Sequence, residues 1–440
     1  MSEAVAQESP FWLSGNFAPV FEETTETQLN VTGSIPPELN GRYFRNGANP
    51  KSGESAHWFL GNGMLHGVEL AGGKANWYRN RYVQTPVLSG AELDPMQSMM
   101  DKTQSLANTH VVRHAGRILA LEEGHWPFEL SPDLDTVGAY NFDGKLATGM
   151  TAHPKICPDT GELLFFAYGM MPPYLTYHRA TADGQLVQSE VIEVPGATMV
   201  HDFNVTRHYN IFMDLPLVWN LEAAAAGGLP IQWSDDYGAR LGVMPREGTN
   251  ADVVWYDIDP CYVYHPLNAY EEGQNIVIDV CRMAHSMKPG AQEVNPVLWR
   301  WTIDLANGRV SEQQLDEHAV EFPRVPDSVV GHKHRYGYLA EFGGGQPAAV
   351  AFRKYDLQTG ATSAHQLSAG CAGGEPVFVP AQGGTAEDDG YLMSFVYDGT
   401  ENRSDLYIVD ASNLENDPVA IVHLPVRVPA GFHGSWIGDE

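Results

Sequence analysis

Basic residues are scarce in this sequence: Lys and Arg number 26 against 55 Asp and Glu, a formal charge of −29 at pH 7. Such a surface repels phosphate backbones, so nucleic acid is excluded as an expected partner. The acidic residues are scattered rather than gathered in a tail, which reads as a solvated surface. Cysteine is almost as sparse. Cys157, Cys261, Cys281 and Cys371 form no CxxC pair, so neither a thiolate zinc site nor a dense disulfide framework is indicated, and reduced, buried thiols are expected. No apolar run of about 18 residues occurs, and MSEAVAQESPFW has no basic stretch leading into an apolar one. The cytoplasm is therefore the expected location.

What is present is a 440-residue chain, 43% hydrophobic and 18% charged, the profile of a globular enzyme with a large core. Short β-type runs dominate: 116–121 (GRILAL), 163–168 (LLFFAY), 275–280 (NIVIDV), 391–397 (YLMSFVY) and 405–409 (DLYIV). Between them lie FDGK (142–145), ADGQ (182–185), ANGR (306–309) and QTGA (358–361), whose glycines supply the positive φ that tight turns need. WTIDLANGRV and RKYDLQTGAT both read as strand, turn, strand, with Gly308 and Gly360 spaced like the repeats of four-stranded propeller blades. Closed all-β architectures exceed the usual domain length, so residues 1–440 are expected to form a single domain.

Two stretches break the pattern, 93–106 (LDPMQSMMDKTQSL) and 215–240, the latter containing LEAAAAGG with Trp219 and Trp233. They read as short helices and loops inside insertions over roughly 84–108 and 215–250, forming an apolar roof on one face.

Among 17 histidines, four stand in distinctive settings: TAHPK at His153, MVHDF at His201, VYHPLN at His265 and GFHGSW at His433. With IPPELNGRYFRNGANP (35–50), HWFLGNGMLH (57–66) and YRNRY (78–82), these motifs run nearly end to end in an order that resembles the carotenoid cleavage oxygenases, a family that also holds lignostilbene dioxygenases and the retinal-pigment-epithelium isomerase.

The resemblance implies an all-β, seven-bladed β-propeller with a helix and loop dome over the metal-bearing face. It implies Fe(II) held by His153, His201, His265 and His433, a neutral ligand set that suits a divalent borderline metal and leaves positions open. Glutamates matching the family's supports for three of these rings are Glu123, Glu321 and Glu375, with the adjacent Glu122 as the alternative to Glu123. Phe59 beside Trp58, and Trp126, Tyr174 and Phe352, are candidates for the substrate pocket.

The implied reaction joins dioxygen to a hydrophobic alkene and splits its double bond into two carbonyl products, with no organic cofactor. No Ser-His-Asp arrangement or phosphate-cradling loop competes, and FLGNGMLHG lacks the strand-to-helix setting of a dinucleotide site. Stilbene-cleaving relatives place a lysine close to the first supporting glutamate to meet a phenol; here Glu122 precedes Glu123, which favours an apocarotenoid-like polyene. A stilbene or phenylpropanoid alkene and a non-cleaving isomerase or binding propeller are the alternatives. Residues 215–233 could also make weak membrane contact, although a roof over the site is the plainer reading. Oligomeric state is not legible.

Overall fold

The computed structural model describes residues 9–90, 97, 100–220, 230–343 and 348–439. The architecture is all-β. Among the described residues, helix is limited to positions 97 and 100 and to three-residue 3-10 turns at Phe11–Leu13, Gly15–Phe17, Asn250–Asp252 and Asp327–Val329. No helix there is long and apolar enough to cross a membrane.

Four-stranded antiparallel sheets follow one another along the chain, beginning at His110–His114, Lys155–Ile156, Phe203–Val205 and Tyr262–Glu272. Beyond them, Val320–Arg324 opens a ten-stranded sheet that extends to Asn30–Gly33, which pairs with Ala420–His423. The remaining large sheet is five-stranded, and its edge strand Gly434–Gly438 lies antiparallel to Gly41–Ala48 in the register Arg45 to Gly434 and Gly41 to Gly438. The end of the sequence thus completes a sheet built at its beginning.

Each anticipated strand forms, for instance Leu163–Tyr168 and Asn275–Met283. Leu163–Tyr168 is continuously apolar because neighbouring sheets cover both of its faces, whereas the outer strand Arg309–Gln314 is largely exposed and polar. ANGR and QTGA turn their hairpins by the same device. Asp304 Oδ1 accepts from the Ala306 amide (2.9 Å) and Asp356 Oδ1 from the Gln358 amide (3.0 Å), while Gly308 and Gly360 take φ of 73° and 74°. ADGQ likewise joins Leu175–Ala180 to Leu186–Val191. FDGK turns the chain between two sheets instead, after Thr136–Ala139 and before Lys155–Ile156.

The 215–250 insertion departs from expectation. Leu217–Trp219 pairs with Ile231–Trp233 as a two-stranded ribbon, and Arg240–Pro245 is an integral strand of the sheet that begins at Phe203. The alanine run that suggested helix lies at 223–226, outside the described residues, and the flanking Leu, Val, Trp and Ile positions favour extended backbone. Of the 93–106 stretch, positions 93–96, 98 and 99 also lie outside them. No disulfide forms among the described residues: Cys157, Cys261 and Cys281 are buried thiols and Cys371 is partly exposed.

Candidate metal centre

Four sheets each deliver one of the distinctive histidines from their innermost edge. His153 stands just before Lys155–Ile156, His201 before Phe203–Val205 and His433 before Gly434–Gly438, while His265 lies within Tyr262–Glu272 where the register shifts. Backbone bonds from two sheets pin His433: its amide donates to Thr109 O (3.1 Å) and its carbonyl accepts from the Asn46 amide (2.9 Å).

The rings meet. The His153 ring centroid lies 4.5 Å from that of His201, 4.9 Å from His265 and 4.7 Å from His433; His265 is 5.0 Å from His201 and 4.6 Å from His433. One nitrogen each from His153, His201 and His265 falls within a 4.8 Å group that could hold a metal ion. His433 joins this trio by ring contact rather than within that tighter group.

Three rings are oriented by carboxylates. His265 Nδ1 meets Glu321 Oε2 at 2.6 Å, His433 Nδ1 meets Glu375 Oε1 at 3.0 Å, and His201 Nδ1 lies against Glu123 Oε1. A carboxylate on Nδ1 holds the proton there and leaves the Nε2 lone pair for the centre. His201 Nε2 and His265 Nε2 are 3.1 Å apart, a separation that two lone pairs tolerate poorly without a cation between them. His153 has no such close carboxylate, its Nδ1 standing 3.8 Å from Asp202, and its Nε2 is buried with no hydrogen-bond partner. An orphaned imidazole nitrogen among other imidazoles fits a divalent borderline metal.

Electrostatics agree with this donor set. Burial, then the neighbouring imidazoles, drives His153 and His433 well below the ordinary histidine pKa, so both are neutral donors. Burial also pulls His265 down, but Glu321 outweighs it and raises the value overall.

Glu122 and Glu123 point to different partners. Glu122 accepts from Ser105 Oγ (3.0 Å), the Leu106 amide (3.0 Å) and His125 Nδ1, while Glu123 takes His201 and the Tyr168 hydroxyl. Burial, then Glu123, pushes the Tyr168 phenol well above its usual value, so Tyr168 remains a donor.

Among the described residues, Phe59, Trp126, Tyr174 and Phe352 make no ring contact with the four histidines. Phe59 packs with Trp58 and Phe432, Trp126 donates from Nε1 to Leu146 O (3.1 Å) within a core cluster, and Tyr174 lies just beyond the loop that follows Leu163–Tyr168. Phe352 is a core residue, only 1% exposed and stacked on His365, because its position in Ala349–Asp356 faces the neighbouring strands. The aromatics that do touch the histidines escaped the sequence reading. Tyr264 stands edge-on to His201 (5.3 Å), and Phe322 stacks on His265 (5.5 Å) and meets His433 (5.2 Å). Their adjacency to His265 and Glu321 in sequence was the available signal.

Replacing Glu321 by glutamine removes the charge that holds the His265 proton while keeping shape. Metal affinity is expected to fall about 10 to 100-fold, read by chelator competition; unchanged affinity would show that Glu321 does not tune the ring.

Residues 17–438 match the family described as retinal pigment epithelial membrane protein. A carotenoid cleavage oxygenase of Mycobacterium tuberculosis is 39% identical over 99% of both chains. A carotenoid 9,10(9',10')-cleavage dioxygenase of Crocus sativus is 33% identical over 98% of this chain and 89% of that protein. Among solved structures, a Pseudomonas brassicacearum lignostilbene dioxygenase superimposes with a TM-score of 0.90 at 30% identity, covering 98% of this chain and 99% of that one. The cobalt-substituted Synechocystis apocarotenoid oxygenase superimposes at 0.87 and 27% identity, covering 97% and 98%.

Proposed function

Because the chain belongs to the carotenoid cleavage oxygenase family, we propose that it is an iron(II) dioxygenase cleaving one carbon–carbon double bond of an apocarotenoid-like polyene into two carbonyl products. His153, His201, His265 and His433 would hold the iron, with Glu123, Glu321 and Glu375 orienting three of the rings. The single observation that carries this reading is the convergence of the four rings, with His153 4.5–4.9 Å from each of the others. A seven-bladed propeller in one domain is part of this reading; it is supported by dividing the ten-stranded sheet at Cys371–Gly373 into a four-stranded unit, Val320–Arg324 to Ala361–Gln366, and a five-stranded one that ends at Asn30–Gly33.

Bound iron would supply the one-electron chemistry that lets dioxygen react with an alkene. The protein's own residues do the rest. Tyr264 and Phe322 wall the imidazoles with apolar surface, which holds a hydrophobic double bond in place and excludes water. Tyr168 fixes the free oxygen of Glu123 and so the plane of the His201 ring.

A specific observation favours a second substrate class. Lys102 donates to the Gly124 carbonyl (3.3 Å), one residue beyond Glu123, placing a cation where the sequence shows none. Such an ammonium could meet the phenol oxygen of a stilbene. The deciding experiment is mass spectrometry of products after aerobic incubation of iron-loaded protein with a panel of apocarotenals and hydroxystilbenes. Paired aldehydes from an apocarotenal support the first substrate and paired aldehydes from a stilbene the second. Intact or merely isomerised alkenes across the panel would overturn the cleavage reading.

A further inference from the structure

A cavity of about 600 Å³ opens to the surface beside Asp327 and Ser328 and reaches inward to His153, His265 and His433. Its wall mixes apolar residues such as Ile156, Val205, Leu267 and Ile437 with charged side chains, unlike the aromatic side formed by Tyr264 and Phe322. Lys155 is held by Asp202 (2.8 Å), Arg324 lies 3.6 Å from Glu375 and 4.0 Å from Asp327, and Arg113 donates to the Gly438 carbonyl (2.9 Å). Oxygen donors therefore accompany the cations along its length.

At the inner end stands a fifth imidazole. His110 opens the innermost strand of its sheet, is only 7% exposed, and lies 5.1 Å from the His433 ring and 6.1 Å from the His153 ring. Its Nδ1 donates to the Ala152 carbonyl at 2.8 Å, which fixes the tautomer and leaves Nε2 as a lone pair. That Nε2 is buried and has no hydrogen-bond partner. A buried acceptor of this kind, beside but outside the group of four, calls for a ligand.

We propose that this cavity is the port through which the metal is loaded, and that His110 receives the incoming divalent cation before it passes to the four-histidine cluster. The proposal rests on the metal-site reading above. A hydrated dication cannot cross an aromatic wall without losing its water, whereas a cavity with Asp202, Asn204, Glu375 and Asp327 set along its wall lets water be exchanged for protein donors one at a time. A water occupies about 30 Å³ of liquid, so the cavity accommodates an ion with its first hydration shell.

The test follows cobalt(II) uptake by the metal-free full chain, using visible absorbance for rate and elemental analysis for final content. His110→Ala removes the receiving imidazole, and Ser328→Trp, at an exposed mouth position, narrows the entrance without touching the histidines. Both variants are expected to load about tenfold more slowly, the scale of losing a partner group near a metal, and to reach the parent's final content and spectrum. Parental uptake rates in either variant overturn the proposal, as does a lowered final content in His110→Ala, which would make His110 a resident ligand. Failure of the parent itself to take up stoichiometric cobalt would instead refute the four-histidine site.

Discussion

Replacing His153 by alanine is expected to empty the metal centre, with iron content falling from stoichiometric to background and alkene cleavage lost with it. His153 touches all three other rings, and its Nε2 is the donor with nothing else to bond. The remaining rings keep their carboxylates, since His265 stays on Glu321 and His433 on Glu375. The loss can therefore be assigned to a missing donor rather than to misplaced neighbours. Removing a supporting residue typically weakens metal binding 10 to 100-fold, so deleting a donor should exceed about 100-fold. Elemental analysis and product assays on one preparation decide it. Stoichiometric iron with undiminished cleavage in His153→Ala would remove His153 from the centre.

The largest stability effect is expected at Trp301. This residue is fully buried in Val297–Asp304, opposite Ile278, in a cluster that joins Leu241, Tyr256 and Tyr262 from neighbouring strands. Its indole nitrogen has no hydrogen-bond partner, so its contribution is packing alone. Truncation of a buried tryptophan to alanine costs about 3–5 kcal/mol through lost burial and the cavity left behind. That is a large share of a typical net stability of about 5–15 kcal/mol. Thermal unfolding of Trp301→Ala should begin well below that of the parent at equal scan rate. An unchanged midpoint would mean that the two adjoining sheets repack into the space.

Much of this could be read in advance where local chemistry is decisive. The Asp-x-x-x-Gly spacing of Asp304 to Gly308 and Asp356 to Gly360 builds its turn from adjacent atoms, and the turns form where expected. The four histidines were legible because each sits in a short, distinctive phrase. Glu122 and Glu123 were harder to separate. They follow the end of Arg117–Leu121, where no pleat dictates which side chain turns inward, and long-range bonds to Ser105 and His201 decide. The pocket aromatics were legible least of all. Phe352 and Phe322 are alike as sequence, and only the packing of distant strands sends one into the core and the other onto His265. At 215–240 an alanine run outweighed its flanks in the sequence reading, although extended pairing of Leu217–Trp219 with Ile231–Trp233 claims those flanks.

The pairing of Gly434–Gly438 with Gly41–Ala48 has a consequence for biosynthesis. Contacts between segments so distant along the chain form slowly, because the entropy of bringing them together is spent before any bond rewards it. On the ribosome, the sheet begun at Gly41 waits with an unpaired edge until nearly all later sheets have emerged, a state prone to association with other nascent chains. His433 immediately precedes the closing strand. Closing this sheet and delivering the fourth imidazole are therefore one event, so a nascent chain can present His153, His201 and His265 but not His433 until the closing strand has emerged.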